Sequence, residues 1–168
     1  WALYYPTVID DRLDEKKVEA TASLAMRMSI EHHQRGQLSE ALSALENISQ
    51  NQHSSNFLTY RAGLLLAVGR VDEARMDIEQ AFKLEPDNSD AYALQATIAV
   101  VQNNKEQALI LAAKAVEVDQ NSPTARLALS YAQQANFQIE EALESVKEAI
   151  NLDSQNAIAW GRLAELHM

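Results

Sequence analysis

The chain has 168 residues, no cysteine, a formal net charge of −10 and a pI of about 4.8. An acidic balance of this size argues against nucleic acid, whose phosphates call for a basic stripe, and reads as a solvated surface. Without cysteine the redox compartment is unreadable, and no run reaches the roughly 18 apolar residues of a membrane span.

Residues 1–21 follow no internal pattern. Trp1, Tyr4 and Tyr5 precede Pro6, which pushes Tyr5 toward extended backbone. Asp10 or Asp11 can then cap a helix leading onward. A bare aromatic stretch on an acidic surface would form an apolar patch, so Trp1 to Pro6 is expected to cover Leu24 and Met28 or to dock on a neighbouring molecule.

From residue 22 the chain repeats. Ala74, Ala108 and Ala142 recur every 34 residues, as do Ala81, Ala115 and Ala149; Ala41 and Ile48 precede them at an interval of 33. The missing residue is expected in the loop around Asn51 to Ser55. Ser29, Ala62, Ala96, Ser130 and Ala164 form a third, small column, and Leu45, Ile78, Ala112 and Val146 a fourth, apolar one. Gly36, Gly69, Asn103 and Phe137 fall at a tight turn inside each unit, and Pro86, Gln120 and Ser154 in the loop that closes it. The units are 22–54, 55–88, 89–122 and 123–156, with the first helix of a fifth at 157–168. A fixed period of this length is the mark of a solenoid, in which each unit buries its apolar face on a neighbour.

Each unit reads as two antiparallel helices. Tyr92, Ala96, Ala99 and Val100 recur at helical spacing in the first helix of the third unit, and Leu111, Ala115 and Val118 in its second. Ser122 before Pro123 supplies a cap and a first-turn proline. Asp72, Glu73, Glu140 and Glu141 open second helices and Lys83, Lys114 and Lys147 come late in them, which suits the helix dipole.

Tyr92-x-x-Gln95-Ala96 with Ala108, Ala115 and Asp119, and Trp160-x-x-Leu163-Ala164, resemble the tetratricopeptide repeat pattern over roughly residues 22 to 168. Pro86 sits at the loop proline of that pattern. Arg126, where a large apolar residue is usual, and Phe137, in place of a turn Gly or Asn, depart from it. The resemblance implies an all-α, right-handed solenoid of antiparallel helix pairs. Trp1-Ala2-Leu3-Tyr4-Tyr5-Pro6 also resembles the junction after a FecR-like domain in large bacterial envelope repeat proteins. That implies a bacterial envelope or periplasmic setting, with the cytoplasm left open. Trp1 is not an initiator methionine, so a longer natural chain is expected, with the open face of the last helix covered by further chain or by a second molecule.

No constellation for catalysis, a cofactor or a metal stands out. His32 and His33 are adjacent and so point to different helix faces, whereas a helical metal pair wants a spacing of three or four. Neither a phosphate loop nor a Gly-x-Ser-x-Gly elbow occurs. A non-catalytic protein-interaction scaffold is the expectation.

By the resemblance, first helices line a concave groove. Its contact positions fall on Met26, Ile30 and His33, then Thr59, Tyr60, Gly63 and Leu66, then Ala93, Thr97 and Val100, then Leu127, Tyr131 and Gln134. Relatives that clamp an acidic chaperone C-terminus place Lys, Asn and Arg where this chain has Met26, Ile30, Ala93 and Thr97. The groove is therefore expected to hold an apolar or amphipathic protein segment, with Tyr60 and Tyr131 as anchors. The alternative is a spacer that self-associates, as a homodimer, through its terminal segments.

Overall fold

The computed structural model describes residues 23–46, 48, 50 and 53–168. The readings of Trp1 to Pro6, the Asp10 or Asp11 cap and the envelope junction lie outside the described residues, as does part of the short-interval loop. In the first helix, Leu24 and Met28 are exposed.

The described residues form nine α-helices: α1 Ser23–Gln34, α2 Leu38–Leu45, α3 Ser55–Ala67, α4 Val71–Leu84, α5 Ser89–Val101, α6 Lys105–Val118, α7 Pro123–Ala135, α8 Ile139–Leu152 and α9 Ala157–Leu166. They pair as α1–α2, α3–α4, α5–α6 and α7–α8, with α9 on α8.

Local chemistry fixes the ends. The four turns inside the pairs each need one residue with left-handed backbone, at Gly36, Gly69, Asn103 and Phe137; glycine takes that conformation without cost, and an asparagine does so more readily than a phenylalanine. The first helices from α3 onward are capped by side chains. The backbone N–H of Phe57, Ala91, Ala125 and Ala159 donates to Ser54, Asn88, Ser122 and Asn156 respectively, at 2.8–3.1 Å. Asp72, Glu73, Glu140 and Glu141 stand in first turns, as the dipole favours.

The columns are the core. Ala41, Ala74, Ala108 and Ala142 are fully buried, and so are Ala81, Ala115 and Ala149. Ser29, Ala62, Ala96 and Ser130 have no exposed surface either, so helix backbones meet closely at these small residues, whereas Ala164, the last of that column, is exposed. Leu45, Ile78, Ala112 and Val146 join the same continuous core. The departures are accommodated at the surface: Arg126 pairs with Glu148 at 2.6 Å and the Phe137 ring is exposed. Trp160, half-exposed, donates its indole N–H to the Ser154 carbonyl at 2.9 Å.

Candidate partner-binding groove

The expected groove residues sit on α1, α3, α5 and α7, and they divide by burial. Met26, Thr59, Tyr60, Leu66, Ala93, Thr97 and Leu127 are buried. Ile30, His33, Gly63, Val100 and Tyr131 are half-buried, and Gln134 is exposed.

Tyr60 is placed differently from an anchor. Its hydroxyl lies 3.3 Å from that of Ser29, whose own proton goes to the Ala41 carbonyl at 2.8 Å. The ring is 2% exposed, 6.1 Å from the His33 ring. An aromatic residue that reaches a polar group on the preceding helix pair serves the packing between pairs, not an outer surface. Thr59 and Thr97 turn their hydroxyls onto their own helices, donating to the Ser55 and Ala93 carbonyls at 3.2 and 3.0 Å.

Tyr131 keeps part of its ring open, but one face is taken. The Arg162 guanidinium of α9 lies 3.9 Å from its centroid, close enough for a cation–π contact. Arg162 itself is 2% exposed and reaches Glu165 at 3.2 Å. Sequence reasoning missed this residue. The signal was its register: one and two units earlier the same position holds Ala128 and Leu94, so an arginine there calls for a partner.

Among the described residues, no group of three or more His, Cys, Asp or Glu could hold a metal ion, and no helix is long and apolar enough to cross a membrane. His32 Nδ1 lies 3.0 Å from Gln37 Oε1, in the turn of its own pair.

No match among curated proteins reaches significance. The chain is similar in structure to a thermophilic TPR protein of Thermus thermophilus, with a TM-score of 0.73 at 20% identity over 86% of this chain and 80% of that one. It is also similar to MamA from Desulfovibrio magneticus RS-1, with a TM-score of 0.57 at 20% identity over 89% and 85%. A third likeness is to the first TPR of Spaghetti (RPAP3) bound to an HSP90 peptide, SRMEEVD, with a TM-score of 0.55 at 17% identity over 73% and 95%. Likenesses at such identities establish fold. The same register runs through all the described helix pairs. The chain is an all-α solenoid of antiparallel helix pairs with the fold of TPR proteins, and residues 65–131 are the stretch that matches the tetratricopeptide repeat family.

Proposed function

We propose that the array captures an apolar or amphipathic segment of a partner protein along its concave groove. The observation that supports this is the set of groove positions left open. Ile30, Val100 and Tyr131 offer apolar surface, with His33 and Gln134 beside them, and no lysine or arginine stands among the groove positions. The Spaghetti domain holds a peptide ending in Glu-Glu-Val-Asp. With Met26, Ile30, Ala93 and Thr97 at the clamp positions, an acidic terminus has no cation to meet in this groove, and apolar burial supplies the attraction instead.

The test is affinity capture with the purified chain, repeated with Val100→Asp and Tyr131→Ala. Loss of the captured protein with helicity intact supports groove binding. Undiminished capture by both folded variants overturns it.

A second reading, a spacer that self-associates, is favoured by the apolar groups exposed toward the two ends of the array: Leu24 and Met28 on α1, and Trp160 on α9. Light scattering separates the two readings. A concentration-dependent dimer that is lost on Trp160→Glu supports the spacer, and a monomer that retains a partner supports the groove.

A further inference from the structure

The boundaries between consecutive helix pairs are built from equivalent positions, and their chemistry differs. On the second helix of each pair the seam residue is Leu42, Arg75, Leu109 or Leu143; on the next first helix it is Arg61, Gln95, Leu129 or Leu163. The third and fourth boundaries therefore set leucine against leucine, and Leu109, Leu129 and Leu163 pack on the core. The second sets Arg75 against Gln95.

That second boundary is a wedge. Helices α4 and α5 run antiparallel, so the end of α4 meets the start of α5. There Asn88 Nδ2 donates to Ser55 Oγ at 2.6 Å, and the Phe82 and Tyr92 rings meet edge to face at 4.7 Å. At the opposite end a crevice of about 290 Å³ opens, lined by Arg75, Glu79, Gln95, Gln102, Asn104 and Gln107 over an apolar floor.

The same end of the third boundary is latched. Asn136 Nδ2 donates to the Lys105 carbonyl at 2.9 Å, and Lys105 Nζ lies 4.4 Å from the Phe137 ring centroid. At the second boundary the equivalents are Gln102 and Val71. Gln102 is exposed, and no such bond joins the two among the described residues. Accordingly α5 packs more extensively on α7 than on α3. The first boundary also has a crevice of about 290 Å³, floored by buried Leu42 and Leu65; the bidentate Arg61–Asp77 pair in its wall, at 2.7 and 2.6 Å, joins α3 to α4 within one pair.

We propose that the second boundary is a hinge of this array, looser than the third. Helices α1–α4 and α5–α9 move as two bodies about the Asn88–Ser55 and Phe82–Tyr92 contacts, and the crevice opens and closes between them. Its polar rim is already hydrated and its helices pack less extensively across it, so less burial opposes the motion than at the third boundary, where opening would wet Leu109 and Leu129. First helices of both bodies line the groove, so the hinge angle sets groove width. That last consequence rests on the groove reading; the hinge does not.

The chain has no cysteine, which makes paired labels clean. Asp72, Glu106 and Glu140 are equivalent exposed positions on α4, α6 and α8. Nitroxides at Asp72→Cys and Glu106→Cys span the second boundary, and those at Glu106→Cys and Glu140→Cys span the third. Electron paramagnetic resonance should give a wider distance distribution for the first pair. The triple change Arg75→Leu, Gln95→Leu and Gln102→Asn, which installs the seam of the third boundary, should narrow it to the width of the second pair. Equal widths in the chain with its own core overturn the hinge whether or not the triple variant folds, and so does an unchanged width in a folded triple variant. Loss or survival of partner capture leaves this outcome untouched.

Discussion

Arg162 Nε donates to Ser130 Oγ at 3.2 Å across the last boundary, and its Nη2 donates to the Ser130 carbonyl at the same distance. The serine hydroxyl in turn donates to the Ala142 carbonyl at 2.9 Å. A parallel pair stands at the first boundary, where Ser29 lies beside Tyr60 and donates to Ala41. Where the small column holds Ala62 or Ala96, the facing residue of the next unit is Leu94 or Ala128. A serine is small enough for the close helix contact and supplies the acceptor that a buried polar partner requires.

The pairing predicts coupling. Ser130→Ala should cost about 1–3 kcal/mol, because it leaves a buried guanidinium short of an acceptor. Adding Arg162→Leu recreates the Ala62 and Leu94 combination, so the double variant should be more stable than the sum of the single losses implies. Urea unfolding of the four proteins gives the cycle, and strict additivity would show that the two residues act independently.

Phe137 is a phenylalanine at a φ of 62°, and 81% exposed. Left-handed backbone costs a residue with a Cβ roughly 1–2 kcal/mol, while an exposed cation–π contact such as that with Lys105 returns about 0.5–1 kcal/mol. Phe137→Asn, the solution used at Asn103, should therefore raise the melting temperature. A lower one would mean that the ring contact outweighs the backbone strain.

Asn156 is 1% exposed, and its Nδ2 has no hydrogen-bond partner among the described residues. Two units earlier the amide of Asn88 finds Ser55 Oγ; the residue equivalent to Ser55 is here Pro123, which has no hydroxyl. Asn156→Ser keeps an oxygen for the Ala159 cap and removes the stranded donor, so it should stabilise by about 1 kcal/mol. Thermal unfolding checks it; destabilisation would show that the amide fills space a serine leaves empty.

The Glu73 carboxyl is held below the usual carboxylate range, first by its hydrogen bond from Arg70 and also by the charge of Arg70. A lowered folded pKa adds stability above the unfolded value, about 4.3 for glutamate, and loses it as pH falls through the folded value. The gap in melting temperature between the parent and Glu73→Gln should be small at pH 7, shrink with salt, and close in acid. A gap that persists in acid would assign it to something other than this pair.

The period was legible because a residue type records it directly. Alanine at 74, 108 and 142 leaves room for a backbone and for nothing larger, and the turn at 36, 69 and 103 asks for residues that accept left-handed geometry. Exposure was harder to read. Tyr60 and Tyr131 occupy groove positions by register, yet Ser29 draws one into the boundary between pairs and Arg162 covers a face of the other. Each outcome depends on a polar group one unit away, and a column compared only with itself does not show it. Arg75 and Gln95 are visible in the sequence, but they gain meaning only when opposed, because a boundary is a property of two columns at once.

Unequal boundaries also give the array a preferred order of assembly. In a linear array each unit is stabilised by its neighbours, and the strongest neighbour contact joins α5–α6 to α7–α8, where leucines face each other and Asn136 closes the open end. That central block is the natural nucleus: it loses least by standing alone, and α3–α4 adds to it across the weaker polar seam. Amide exchange should be slowest in α5 to α8 and faster in α3 and α4, with the gradient reversing at no concentration of denaturant below global unfolding. The repeat, nearly uniform in length, thus unzips from one side.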